Sequence, residues 1–256
     1  MLPAMSSLFV LSYRRRLAST VTRAAVALVA PLLAAACSPP SQPPEPQTAE
    51  AVAAPSPRPD LPAVVFLGDS LTAGYGLAEE QAFPALLEAR MREEGLDLPV
   101  VNAGVSGDTT AGGLSRLDWI FRQRVGVLVV ALGANDGLRG VPVAETRRNL
   151  AQIIERGKSA GARVVLAGMK LPVNYGPQYR SEFEAIYPEL ARQYDVPLVP
   201  FLLEGVGGVA RLNQADGIHP TAEGQRIIAD HLWPVLAPVL RETAKQTEAT
   251  GLTTVR

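Results

Sequence analysis

Three side chains in this sequence have the types and spacing needed for acyl transfer: Ser70, Asp216 and His219. A serine hydroxyl is a poor nucleophile until a base removes its proton. His219 can supply that base. Asp216 lies three residues before it in a loop-forming stretch, Asp216-Gly217-Ile218-His219-Pro220, so its carboxylate can fold back to the imidazole. There it would select the tautomer and stabilise the imidazolium as it forms. Pro220 biases His219 toward extended backbone, which restricts where the ring points. Alone, Asp216-Gly217 is also an ordinary turn signal. The chain has only two histidines. His231 falls on the apolar face of a helix candidate and reads as a packed core or boundary residue.

Acyl transfer also needs donors aimed at the developing oxyanion, each worth about 3 kcal/mol. Ser70 follows an apolar run and precedes a helical turn, so backbone N–H groups near it lack strand partners. Gly107 can offer an unshielded N–H, and Asn135 a side-chain amide. Each also has an ordinary reading, as a turn glycine and as a turn or cap residue. Their common position, at the ends of apolar runs, favours the catalytic reading.

Those runs are the elements that must position the site. Apolar stretches at residues 63–67, 99–101, 125–132, 163–167 and, more weakly, 196–200 lack clean alternation. That is the pattern of strands covered on both faces. Helix candidates lie between and after them, at 81–94, 110–122, 143–160, 179–194 and 221–240. Strands alternating with helices predict an α/β fold: a doubly wound, flavodoxin-like parallel sheet of about five strands with helices on both faces. Ligands in such folds bind at the carboxyl ends of the strands. Gly68–Leu71, Asn102–Asp108 and Gly133–Asp136 all fall there, and the Asp216–Pro220 loop precedes the last helix.

The flanking segments read differently. Arg14, Arg15, Arg16 and Arg23 precede a short apolar run, residues 24–36, too short to span a bilayer. Residues 1–37 are therefore expected to be a signal peptide, ending at Cys37. Small residues ahead of a lone cysteine resemble a bacterial lipoprotein signal, which implies lipidation at Cys37. Ala34 departs from that signal, where leucine is usual, and ordinary cleavage near Ala36 is the alternative. Residues 38–62 are proline-rich and read as a tether. Residues 63–240 form the expected catalytic domain and 241–256 a flexible tail. The expected location is export from a bacterial cytoplasm to the periplasm, with membrane association through the lipid anchor. The net charge of -1, with no basic run outside the N-terminus, argues against a nucleic-acid partner. A single cysteine excludes an intrachain disulfide and a multi-thiolate zinc site.

The motifs together resemble the SGNH, or GDSL, hydrolase family over roughly residues 63–240. Its first block appears as Gly68-Asp69-Ser70-Leu71, its second as Asn102 to Thr109, its third as Gly133-Ala134-Asn135-Asp136 and its fifth as Asp216 to Pro220. The resemblance implies Ser70 as nucleophile, Asp216 and His219 as its partners, and an oxyanion hole of Ser70, Gly107 and Asn135. Gly104 competes with Gly107 for that role, and it stands where close relatives often carry a larger residue. Residues 171–176 and 183–188, with Gly137 to Gly140, are similar to a secreted bacterial branch of acyl-CoA thioesterases, lysophospholipases and arylesterases. That branch implies small acyl ester or lipid substrates, no metal and no cofactor.

Three other readings compete. One is a carbohydrate O-acetylesterase of the same superfamily. A second is a non-catalytic, flavodoxin-like phosphate-binding module using residues 68–76, against which the absence of G-K-[ST] argues. The third is a metal-dependent phosphoesterase built on Asp69, Asp108, Asp136 and Asp216, weakened by the scarcity of histidine.

Overall fold

Six consecutive small or apolar residues, AVVFLG, form β1 at Ala63–Gly68, and all six are buried. Only a strand covered on both faces can hide such a run. β2 (Val100–Gly104), β3 (Val125–Ala131), β4 (Arg163–Ala167) and β5 (Leu198–Val199) complete a five-stranded sheet in the order β2-β1-β3-β4-β5. Every pairing is parallel. The computed structural model describes residues 61–251. The leader, Cys37 and nearly all of the 38–62 stretch lie outside the described residues.

The strand order reverses direction beside β1, between β1 and β3. A doubly wound sheet opens a crevice there, beyond the strand carboxyl ends. The register places Gly68 level with Gly104 and Ala131, so β1, β2 and β3 end together. One irregularity interrupts β1–β3: Ala63 faces Val125 while Val64 faces Val127. Gly126 is the extra residue of this bulge, at the end of the sheet away from the crevice.

The helices are α1 (Ser70–Ala73), α2 (Phe83–Glu93), α3 (Thr110–Ser115), α4 (Leu117–Ile120), α5 (Ala134–Leu138), α6 (Val143–Ser159), α7 (Pro177–Tyr194) and α8 (Ala222–Ala249). One set joins α2 to α8, and α8 also packs on β3 and β5. The other joins α6 to α3 and α7. Together they cover the apolar sheet, whose core includes Val64–Leu67 and Val127–Leu132.

Several boundaries differ from the sequence reading. The stretch 110–122 forms two short helices, broken at Arg116. Gly112 and Gly113 weaken helical propensity there. A Cβ on Gly113 would lie 2.3 Å from Leu132 Cδ1, so α3 approaches the sheet through that glycine. Arg116 turns inward to Asp108 at 2.7 Å and to the Ala103 carbonyl at 3.1 Å. The largest correction is at the C-terminus. The expected end of the domain at Leu240 is too early, because α8 continues to Ala249. The polar residues taken for a tail include Thr243 and Thr247, both buried. Their hydroxyls donate to the carbonyls of Val239 and Thr243, one turn back, so these residues can be buried without leaving a donor unpaired. Among the described residues, no helix is long and apolar enough to cross a membrane.

Candidate active site

β1 ends at Gly68, and Ser70 begins α1 two residues later. Asp69 caps that helix, its carboxylate accepting the Leu71 N–H at 3.0 Å. Capping of this kind organises the first turn and satisfies one of its free donors. It leaves Ser70 half-buried at the floor of a cleft of 810 Å³.

The histidine arrives from the loop before α8. His219 Nε2 lies 2.9 Å from Ser70 Oγ, and His219 Nδ1 lies 2.6 Å from Asp216 Oδ2. With Nδ1–H donating to the carboxylate, Nε2 carries the free lone pair and can accept the Ser70 hydroxyl hydrogen bond. The other Asp216 oxygen accepts the backbone N–H groups of Ile218 and His219, both at 3.0 Å. The bond from His219 is the main reason the Asp216 carboxyl is held down at about 2, and the two backbone donors add to it. The loop is fixed from outside as well. Gln214 donates through Nε2 to the carbonyls of Tyr75 and Pro220, at 2.7 and 3.0 Å. The Tyr75 ring packs on the imidazole with centroids 4.5 Å apart.

Gly107 and Asn135 line the same cleft as Ser70 and His219. Gly107 has φ +81°, a left-handed conformation that favours glycine. Its carbonyl accepts Arg139 Nη2 at 2.9 Å, and no acceptor faces its N–H among the described residues. Gly104 differs on this point, because its N–H donates to Asn102 Oδ1 at 3.0 Å. A Cβ on Gly104 would sit 2.3 Å from the Ala73 nitrogen. That residue is a glycine so that β2 can touch α1, and of the two glycines Gly107 is the one whose N–H has no acceptor among the described residues. Asn135 Nδ2 donates to the Asp108 carbonyl at 2.9 Å and lies 3.4 Å from Asp69 Oδ2.

The four aspartates considered for a metal are each bonded elsewhere. Asp69 caps α1, Asp108 pairs with Arg116, and Asp216 holds His219. Asp136 is buried and accepts the Thr110 N–H at 2.8 Å and the Thr110 hydroxyl. No group of three or more His, Cys, Asp or Glu converges among the described residues. His231 lies on α8 with its Nε2 buried and unbonded, away from the serine.

Sequence reasoning weighed Asp69 and Asp136 only as metal ligands and assigned neither the structural role it has here. Asp69 is fully buried, and burial pushes its carboxyl from 3.8 up to about 6, with the Leu71 N–H holding it partly back. An aspartate at the start of a helical turn is a cap signal, so this role could have been found. Asp136 ties α5, which carries Asn135, to the start of α3. Its partner is 26 residues away, and no local pattern announces it.

Residues 66–227 match the family model described as GDSL-like Lipase/Acylhydrolase. The chain is 46% identical over 178 residues to the esterase TesA of Pseudomonas aeruginosa, covering 69% of this chain and 89% of that protein. It is 43% identical over 178 residues to the thioesterase 1/protease 1/lysophospholipase L1 of Escherichia coli, covering 69% and 84%. Among solved structures, a crystal structure of TesA matches with a TM-score of 0.68 at 45% identity, covering 69% of this chain and 99% of that one. The sheet and its helices are those of the SGNH hydrolase fold, and the chain belongs to the GDSL-like lipase/acylhydrolase family as an ester-cleaving hydrolase.

Proposed function

We propose that Ser70 is the nucleophile, His219 the general base and Asp216 the residue that orients it, in a hydrolase acting on carboxylic esters and thioesters of acyl chains. The observation that carries this reading is the continuous relay from Ser70 Oγ through both ring nitrogens of His219 to Asp216. Ser70 Oγ attacks the acyl carbonyl while its proton passes to His219 Nε2. The Ser70 and Gly107 N–H groups and the Asn135 amide receive the oxyanion. Collapse expels the alcohol or thiol, which takes the proton from the imidazolium, and leaves an acyl-serine. Water, deprotonated by His219, attacks that ester and releases the acid with Ser70 restored. Leu71, Leu138, Met169, Leu171 and Phe201 line the cleft and supply an apolar wall for an acyl chain. Its size favours a chain longer than acetate, and so an arylesterase, lysophospholipase or thioesterase over a carbohydrate O-acetylesterase.

Ser70→Ala tests the assignment. The variant should fold normally, hydrolyse nitrophenyl esters about 10⁴-fold more slowly, and fail to bind a serine-reactive organophosphate covalently. Near-parental turnover, or labelling of another serine, would sink it.

The location belongs to this proposal too. A signal peptide over 1–37 and lipidation at Cys37, followed by the proline-rich 38–62 stretch, would hold the domain at a periplasmic membrane surface. Mass spectrometry of the mature N-terminus tests this: a diacylglyceryl-modified Cys37 is expected, and an unmodified terminus near it would mean simple secretion.

A further inference from the structure

Seven large apolar side chains are exposed among the described residues: Tyr75, Val105, Trp119, Leu138, Val173, Val209 and Ile218. Their distribution is not random. Tyr75, Leu138 and Ile218 line the cleft that holds Ser70. Val105, Val173 and Val209 each adjoin a lining residue, namely Ser106, Pro172 and Gly208. Only Trp119, on α4, lies elsewhere. Six exposed apolar groups, contributed by six separate segments, thus line or directly adjoin the lining of one cleft at the carboxyl end of the sheet. Val173 is 82% exposed on a short helical turn, Val173–Tyr175. Isolated exposed apolar residues need no explanation, but a cluster of them at a cleft marks an interaction surface.

We propose that this rim docks on a lipid bilayer, so that an acyl chain passes from the membrane into the cleft without crossing water. The inference rests on the acyl-ester reading above and adds the partner that the site faces. Three observations favour a lipid surface over a protein. The rim is continuous with the apolar cleft wall. The cations lining the mouth are Lys170, exposed, and Arg180, half-buried, each beside a glutamate outside the lining (Glu204 at 3.9 Å and Glu184 at 3.6 Å), whereas the lining carboxylate, Asp69, is fully buried. Arg139, beside Leu138, adds a guanidinium that donates to the Gly107 carbonyl and has no carboxylate partner among the described residues. Such a mouth suits anionic headgroups. The position of the chain outside the structure is also compatible. The described domain begins at the amino end of β1, opposite the rim. Cys37 precedes Leu61 by 24 residues. That interval reaches at most ~80 Å, and a domain of this size is about 40 Å across. An anchor at Cys37 therefore leaves the rim free to turn toward the same membrane.

The test uses the exported chain carrying Cys37→Ser, so that no acyl group holds it to lipid, with and without Val173→Asp plus Val209→Asp. Neither valine lines the cleft. The probe is vesicles of phosphatidylglycerol and phosphatidylethanolamine, with or without lysophospholipid. The parent should sediment with vesicles, and the double variant should partition at least tenfold less. Hydrolysis of vesicle-borne lysophospholipid should fall by the same factor, while a monomeric, water-soluble aryl ester is turned over within twofold of the parent. A parent that stays in the supernatant, or a variant that sediments equally, overturns the proposal. So does an equal loss on the monomeric ester in a normally folded variant, which would make the rim part of the acyl pocket. Vesicle binding by a parent that hydrolyses no ester would instead refute the acyl-ester reading and support docking.

Discussion

Asp69→Asn should make the protein's stability less sensitive to pH in a calculable way. Asp69 is fully buried beside Ser70, and burial pushes its carboxyl from 3.8 to about 6. Below pH 3.8 the folded and unfolded states both hold the proton, so ionisation costs the fold nothing. Between 3.8 and about 6 the folded state holds more of it, and stability falls as pH rises. Above that window both states are ionised and the fold bears the whole penalty. At about 1.4 kcal/mol per pH unit, the penalty is about 3 kcal/mol. Asparagine does not titrate, and its side-chain oxygen can still accept the Leu71 N–H as a cap. Its amide then faces Asn135 Nδ2, donor against donor, which adds a cost independent of pH. The difference in unfolding free energy between variant and parent should therefore move about 2 kcal/mol in the variant's favour from about pH 4 to about pH 7, most of the full penalty. Urea unfolding at one-unit steps measures it, with equal m-values as the check on two-state behaviour. A difference that stays flat across this range would refute the claim that Asp69 resists ionisation in the fold.

Two other substitutions probe the site. Asp216→Asn should keep the backbone bonds to Ile218 and His219 but present an amide to Nδ1, holding the imidazole in the wrong tautomer; kcat should fall about 10⁴-fold with little change in stability at neutral pH. Because Asp216 is held at about 2, the acid limb of the parent's rate profile should not follow its titration, and a limb that vanished in the asparagine variant would contradict this. Gly104→Ala should cost about 1–3 kcal/mol, because the new Cβ meets backbone of α1 rather than a side chain that can turn away. It should also lower kcat by displacing Ser70, and thermal unfolding with kinetics on a nitrophenyl ester reads both.

The parts of this protein legible in its sequence are those governed by local signals. β1, β3 and β4 are apolar runs whose burial on both faces leaves a continuous hydrophobic signature. The Asp216–Pro220 loop is a turn signal with a histidine at its end. β5 was read as five residues and is two, since only Leu198 and Val199 pair with β4. The α5 segment, Ala134–Leu138, is absent from the helix candidates because five residues containing Asn, Asp and Gly carry no helical signature. What escaped altogether were contacts between distant segments. Asp136 with Thr110, Asn102 with the Thr72 carbonyl, and Gln225 with the Phe83 N–H and the Leu71 carbonyl all join loops far apart in the chain. The choice between Gly104 and Gly107 belongs to the same class, since it turns on which N–H already has a partner.

Those long-range polar contacts explain how a site assembled from loops can be held to the tolerance that proton transfer requires. The sheet is apolar and fixes only where each strand ends. Beyond those ends the loops leave apolar side chains such as Val105, Val173 and Val209 exposed, and packing alone would hold them less firmly than it holds the strands. Asn102 holds α1 against β2, Gln225 ties α1 to α8, Gln214 fastens the histidine loop to the Tyr75 carbonyl, and Asp136 locks α5 to α3. Each joins segments that carry or flank proposed participants in the reaction. Such a hydrogen bond contributes only about 1 kcal/mol net, yet where it is buried, as for Gln225 and Asp136, breaking one side leaves its partner unsatisfied and costs more. The arrangement therefore penalises misalignment more than it rewards folding. Asp69 marks the expense: a carboxyl is kept out of water directly beside Ser70, the proposed nucleophile, and the apolar sheet must offset what its ionisation takes from the stability of the fold.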